Sequence, residues 1–276
     1  MLLTGASRGI GHSTCRLFAA AGWRVITVSR SPFVSESKCP WKAGDTNHVI
    51  CDLSSKCNPR WLRCDLGYTQ ACGSDSMCRH CSPCTGEEDT VRAIAEIKTK
   101  LGGAPLHALV NNAAISPKNK EGQRLGAHET DVRTWNQVLQ VNLLAGTMLA
   151  NGLFEELKAA VPAGGGSVVN VTSIVGSRVH PFAGTAYACS KAALAALTRE
   201  MAVDFGQHGV RVNAISPGEI DTSILSPGTQ AIVDEEIPMR RLGTVNEVAH
   251  AIYFLVSEQS SYVNGAELHI NGGQHC

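Results

Sequence analysis

Residues 1–22 read MLLTGASRGIGHSTCRLFAAAG, and their order decides the fold. A short apolar run passes straight into a turn with glycines at 5, 9 and 11, and that turn opens a helical pattern. Glycine reaches backbone angles closed to other residues and lets a phosphate approach the main chain. A helix starting there aims its free N–H groups and the positive end of its dipole at the same point. The spacing, glycine-x3-glycine-x-glycine, differs from the common dinucleotide fingerprint, so a tight structural turn is the alternative reading. Gly5, Ser7, Arg8, Gly9, Ile10 and Gly11 are the candidate phosphate-binding residues.

The rest of the chain repeats this strand-then-helix unit. After MLLT come the β-branched runs RVITVS, HVICD, LHALVNN, GSVVNVTS, VRVNAIS and AELHIN. Helical patterns fall at 10–21, 88–101, 131–159, 185–205, 229–236 and 245–256. Alternation of this kind predicts an α/β fold. Several strands are continuous apolar runs, as when helices cover both faces of a parallel sheet. The expectation is one doubly wound Rossmann-type domain over residues 1–276, with about seven parallel strands flanked by helices. The opening strand is shorter than a central strand normally is, as if the start were assigned too late.

One segment interrupts the rhythm. Between HVICDLSS and EEDTVRAIAEIKTKL lie about 31 residues, 56–86, where a strand-to-helix loop usually needs about two to six. Six of the 11 cysteines fall in it: Cys57, Cys64, Cys72, Cys78, Cys81 and Cys84. The spacing Cys78-x2-Cys81-x2-Cys84 is that of a zinc or iron–sulfur loop, but three close cysteines are not four placed ligands. A bound metal, disulfides or redox sensing, an excursion without function, and sequence outside the mature product are all open. No metal is assigned to the active site, and the insertion is given no catalytic part. Leaving the third strand, it is expected near the adenine side.

Composition excludes several classes. Hydrophobic residues make up 43% and charged ones 17%, as in a globular protein. Lys+Arg and Asp+Glu balance at 24 each, so no basic field gathers nucleic acid or an anionic membrane. No apolar run is long enough to span a bilayer, and the N-terminus lacks a secretory pattern. A cytoplasmic protein is expected.

The end of the second strand distinguishes the two dinucleotides. An NAD site wants a carboxylate there, whereas a 2′-phosphate wants cations. This chain has Ser29 and Arg30 and no acid at that point, with Arg8 nearby in the glycine loop. Arginine grips phosphate through paired charge-assisted hydrogen bonds, so NADP(H) is expected over NAD(H).

The run YACSKAALAALTREMAVDFG, 187–206, reads as one long helix with an unusual face. At about 100° per residue, Tyr187, Lys191, Leu194, Thr198, Met201, Ala202 and Phe205 share one stripe. A charge on an apolar stripe is costly unless paired or put to use. A lysine stem snorkelling beside a core tyrosine is the bland alternative.

Taken together, TGASRGIG, NNAA (111–114), the VN ending in Asn142, NVTS ending in Ser173, YACSK and SPGEIDT (216–222) resemble the short-chain dehydrogenase/reductase family, in order and spacing. The resemblance covers the chain apart from the insertion and is similar to the 3-oxoacyl-carrier-protein reductases of the NADP(H)-preferring type. It implies a dinucleotide-dependent oxidoreductase acting on a carbonyl or secondary alcohol, with Asn142, Ser173, Tyr187 and Lys191 catalytic. Tyr187 is the implied acid/base. Bringing a phenol from about 10 to about 7 takes roughly 4 kcal/mol, which a nearby Lys191 ammonium and an oxidised nicotinamide could supply. Ser173 would steady charge on the substrate oxygen. Lys191 would also hold the nicotinamide ribose, and Asn142 would order a water linking Lys191 to solvent.

The resemblance also implies cofactor contacts from Asp52, with Cys51 and Leu53 beside it, to adenine. Asn111, Asn112 and Ala113 would lie along the ribose, and Pro217, Gly218, Ile220 and Thr222 around the nicotinamide. Each residue has a plainer alternative: Asp52 could cap a turn, Asn111 could tie strands together, and Pro217-Gly218 could be only a turn.

Residues 174–186 and the stretch after Thr222 should line the substrate pocket, with His180, Pro181, Phe182 and Ile224 forming a partly apolar wall. His180 is read as a wall residue rather than a proton carrier. Nothing in the sequence selects among ketoacyl thioesters, sugars, steroids and small ketones. Reduction is favoured over oxidation because cells keep NADPH reduced. A homo-oligomer, dimer or tetramer, is implied through helices 131–159 and 185–205, where Ala188, Ala192, Ala195 and Ala196 permit close contact. The rival reading is a sensor or scaffold that binds the dinucleotide without chemistry.

Overall fold

The computed structural model describes residues 1–30, 47–54, 87–222, 225 and 228–276. The cysteine-rich insertion and Ile224 lie outside them. The strands are β1 (Leu2–Thr4), β2 (Ile26–Ser29), β3 (His48–Ile50), β4 (Ala108–Asn111), β5 (Ser167–Val171), β6 (Arg211–Pro217) and β7 (Glu267–Ile270). They form one seven-stranded sheet in the order β3-β2-β1-β4-β5-β6-β7, and every pairing is parallel. This is the expected doubly wound Rossmann-type fold. β1 has three residues and is fully buried, pairing through Leu2 with Ile26 on one side and Leu109 on the other.

Successive side chains of a strand point to opposite faces, so a strand covered on both faces is apolar throughout. Leu2, Leu109 and Val168 pack with α2 (Glu87–Leu101), α4 (Ala145–Gly152) and α6 (Thr185–Gly206). Their neighbours Leu3, Val110 and Val169 pack on the other face against α1 (Gly9–Ala20) and α8 (Val245–Val256). The remaining helices are α3 (Val132–Leu139), α5 (Phe154–Lys158) and α7 (Thr229–Glu235).

The expected helix 131–159 is divided. Asp131 caps α3, accepting from the Thr134 N–H at 2.7 Å, and its carboxyl is held low by that bond. A π-helical turn, Gln140–Leu144, then joins α3 to α4, and Leu153, at φ −111°, separates α4 from α5. An extra residue in a helical turn rotates the side chains after it. Here the turn contains Asn142, which is buried.

Two glycines fix the first crossover. Gly5 has φ +70°, and a Cβ there would stand 2.9 Å from the Ala113 Cα. A Cβ on Gly11 would fall on the Gly5 carbonyl oxygen, so α1 begins as close to the loop as backbone allows. After β1 the chain builds the sheet outward through β2 and β3, then returns to lay β4 on the other side. The carboxyl ends of β1 and β4 therefore diverge, the place where such sheets bind ligands.

Candidate active site

A cleft of about 570 Å3 opens at these strand ends. Gly5, Ser7, Arg8, Gly9, Ile10 and Gly11 line one end of it. Arg8 stands at the N-cap of α1 in an extended conformation; no side chain caps the helix and no acid occupies its first turn. The free N–H groups of that turn are thus left to whatever the cleft holds.

Ser29, Arg30, Asp52 and Leu53 also line the cleft. Arg8 and Arg30 are exposed, and their guanidinium groups make no hydrogen bond or ion pair among the described residues. Asp52 does cap a turn: its Oδ1 accepts from the Ser54 N–H at 3.0 Å and the Ser54 hydroxyl at 2.6 Å. Burial pushes the Cys51 thiol up to about 11, so it contributes an uncharged wall.

The two asparagines after β4's apolar run separate. Asn112 and Ala113 line the cleft, their N–H groups each donating to the Thr4 hydroxyl at 3.0 Å. The Asn112 amide also donates to the Thr4 and Gly5 carbonyls at 3.0 and 3.1 Å, tying the glycine loop to β4. Asn111 does not line the cleft. Its amide donates to Asn170 Oδ1 at 2.9 Å, and Asn170 in turn donates to Thr198 on α6 at 2.9 Å. The strand-tying alternative describes its contacts.

Ser173, Tyr187 and Lys191 meet in the same cleft. Ser173 stands two residues past β5, and its hydroxyl accepts from the Val175 N–H at 3.3 Å at the start of a 3-10 turn, Ile174–Gly176. Gly176 lies so near α6 that a Cβ would be 2.9 Å from the Ala192 nitrogen, which seats the turn against the helix. The Ser173 hydroxyl is near enough to the Tyr187 phenol to favour its ionised form. Lys191 is 2% exposed; its Nζ donates to the Val171 carbonyl at 2.6 Å and lies 5.6 Å from the Tyr187 ring centre.

The electrostatics differ from the expectation that Lys191 acidifies Tyr187. Burial pushes the phenol up, the nearby Ser173 hydroxyl pulls it down, and the Glu219 carboxylate pushes it up again. Lys191 itself is driven down to about 7 by burial. A lysine already neutral where a phenol begins to ionise exerts no charge on it, which accounts for the difference.

Asn142 does not line the cleft either. Its amide donates to the Ile115 carbonyl and the Ser190 hydroxyl, both at 3.0 Å, and its Oδ1 accepts from the Ile115 N–H at 2.8 Å. Both amide hydrogens are engaged, and the side chain clamps Ile115, which does line the cleft.

Pro217 ends β6, Gly218, Ile220 and Thr222 follow it, and all four line the cleft, with Thr222 beside Gly9 of the glycine loop. His180 and Phe182 form part of the wall, whereas Pro181 is exposed and outside it. Sequence reasoning missed Glu219. It lies inside SPGEIDT, lines the cleft and holds His180 Nε2 at 2.7 Å. An acid directly after a Pro-Gly at the end of a buried strand was the available signal.

A family profile described as Enoyl-(Acyl carrier protein) reductase matches residues 69–275. The chain is also 53% identical over 275 residues to Protein FixR of Bradyrhizobium diazoefficiens, covering 100% of this chain and 86% of that one. An oxidoreductase of the short chain dehydrogenase/reductase family from Brucella ovis shares 51% identity, with a TM-score of 0.72 over 98% of each chain. This protein belongs to the short-chain dehydrogenase/reductase family. As a member it is similar to a 3-oxoacyl-[acyl-carrier protein] reductase from Brucella melitensis, at 26% identity and TM-score 0.76 over 100% of this chain and 90% of that one. The family is one of oxidoreductases. No helix among the described residues is long and apolar enough to cross a membrane.

Proposed function

We propose that this protein transfers hydride between NADP(H) and a carbonyl or secondary alcohol substrate, with Tyr187 as general acid and base. The observation that carries the reading is the convergence of Ser173, Tyr187 and the buried Lys191, 5.6 Å from the Tyr187 ring centre, in the cleft that the glycine loop opens. The donor set fits a dinucleotide. The uncapped start of α1 suits a pyrophosphate, and Lys191 meets one acceptor among the described residues with its three N–H groups, so ribose hydroxyls suit the rest. The Brucella ovis structure holds a partially ordered NAD and the Brucella melitensis one a bound NAD, which supports a nicotinamide dinucleotide here. Preference for the 2′-phosphate form rests on Arg8 and Arg30, with no acid after β2.

When bound, the nicotinamide supplies or accepts the hydride. Tyr187 gives its hydroxyl proton to the substrate oxygen in reduction and takes it back in oxidation. Ser173 donates to that oxygen as charge develops. Hydrogen bonds to the Lys191 ammonium favour its charged form, so occupancy of its free donors would restore the charge beside the phenol. Asn142 acts by holding Ile115 in the cleft wall. The reading includes one cytoplasmic domain over 1–276, the insertion at about 56–86, and assembly of copies through α3, α4 and α6.

Oxidation of NADPH and NADH against a panel of ketones tests the proposal. Turnover with NADPH preferred is expected, and Arg30→Asp should shift the ratio of efficiencies toward NADH. Dinucleotide binding without turnover on any ketone or alcohol would favour a sensor.

A further inference from the structure

His180 and Glu219 form a pair that the hydride-transfer scheme does not use. His180 Nε2 and Glu219 Oε1 are 2.7 Å apart, with side chains 7% and 12% exposed, and both line the cleft with Tyr187 and Ser173. We propose that this pair selects the substrate: the Glu219 carboxylate, positioned by His180, accepts a hydrogen bond from a hydrogen-bond donor on the carbon next to the reacting one. Polyols and hydroxyketones are the class it fits. The proposal deepens the dehydrogenase reading and rests on it.

The orientation of the pair is determined. His180 Nδ1 accepts the Phe182 N–H at 3.2 Å, so the hydrogen of the neutral ring sits on Nε2 and points at the carboxylate. The Phe182 ring meets the imidazole edge-on at 5.8 Å, and Arg124 donates to the His180 carbonyl at 3.4 Å, fixing the residue from two sides. Glu219 is rooted at the end of β6. The preceding Gly218 N–H donates to Ile270 at 3.1 Å, and the Gly243 N–H donates to the Glu219 carbonyl at 2.9 Å.

One carboxylate oxygen remains. Among the described residues Glu219 Oε2 accepts no hydrogen bond, and Glu219 lines the cleft, so that oxygen can receive a donor from a molecule held there. A pair kept for stability alone is a poor device, because apolar side chains of similar volume do as well. The carboxylate lines the same cleft as the Tyr187 and Ser173 side chains. We take a carbonyl placed against Tyr187 and Ser173 to turn its neighbouring carbon toward Glu219. Val175, Phe182 and Leu225 supply apolar wall for the rest of the skeleton.

The test uses the full-length protein and NADP+ with three alcohols: cyclohexanol, trans-cyclohexane-1,2-diol and trans-2-aminocyclohexanol. A hydrogen bond to a buried charge predicts a kcat/KM for the diol roughly ten- to hundredfold above cyclohexanol, expressed in KM. Glu219→Leu should bring that ratio to about one. Because the ratio is taken within one variant, a general loss of folded protein leaves it unchanged. Glu219→Gln, which keeps an acceptor oxygen, should retain part of the preference for the diol and lose any for the amine. His180→Leu should lower the ratio and His180→Gln restore it, as a positioning role requires. An amine better than the diol identifies the donor as an ammonium and still supports the pair. Equal efficiencies in the unaltered protein, or a ratio untouched by Glu219→Leu, overturn it.

Saturation-transfer NMR of the same alcohols on the protein with NADP+ separates the two claims. Diol-selective binding that depends on Glu219, with no turnover, keeps the pair and removes the dehydrogenase reading. Turnover without selectivity does the reverse, and neither selectivity nor turnover removes both.

Discussion

Helices α6 and α8 lie against opposite faces of the same sheet and obey different rules. α8 follows every local preference. Thr244 accepts from the Glu247 N–H at 3.2 Å, and Glu247 accepts from the Thr244 N–H at 2.7 Å, a closed capping box. The Arg241 guanidinium, with help from the Thr244 N–H, holds the Glu247 carboxyl down to about 2. Its inward face is Val248, Ile252 and Leu255, apolar throughout. α6 starts from Gly184 with no side-chain cap and buries a lysine that makes no ion pair with an acid among the described residues. A sequence that is locally consistent elsewhere breaks its own rules where the proposed chemistry lies. The contrast teaches that α8 holds the sheet together while α6 gives up stability for a charge at the cleft.

The largest way to break this contrast is Lys191→Met, which makes α6 resemble α8. Turnover should fall by about a hundredfold or more, as for loss of an acid–base group. The melting temperature should rise, by about 2–4 °C for each kcal/mol recovered. Parallel turnover assays and thermal melts at pH 7 check both, and a lower melting temperature would mean that Lys191 stabilises the fold.

A pH series sharpens the same point. The Lys191 pKa is about 7 in the folded protein against an ordinary 10.5. Between these values the unfolded chain holds the extra proton, so this group's contribution makes stability rise as pH rises from 7 toward 10.5. Denaturant unfolding of both forms at pH 7 and 10 should give a difference that narrows at the higher pH, because Met carries no such proton.

The smallest effect belongs to α8. Thr244→Ala opens the capping box and should cost about 1 kcal/mol of stability with turnover unchanged. A loss of turnover at constant stability would give α8 a part in the chemistry that the contrast denies it.

Much of the molecule was legible because it depends on local order. Strand, glycine turn and helix follow one another within residues 1–22, and the apolar runs announced a sheet covered on both faces. Ser173, Tyr187 and Lys191 were legible through motifs and the stripe on α6. What escaped depends on long-range contacts. The π-helical turn places Asn142 against Ile115, 27 residues away, so a continuous helix over 131–159 was the natural local reading. Asn111 and Asn112 are adjacent in sequence, but one meets Asn170 and the other the glycine loop. Glu219 stood in a quoted motif, yet its partner His180 is 39 residues earlier. The burial that shifts Lys191 and Tyr187 belongs to the packed molecule and to no segment of it.

Replacing Tyr187 with Phe removes one oxygen and leaves the ring. NADPH oxidation with a reducible ketone and NADPH affinity, measured on the same preparation, test the central claim most directly. The account predicts turnover reduced to background with affinity nearly unchanged. Turnover near that of the unaltered protein would take the Tyr187 hydroxyl out of the chemistry and contradict the account.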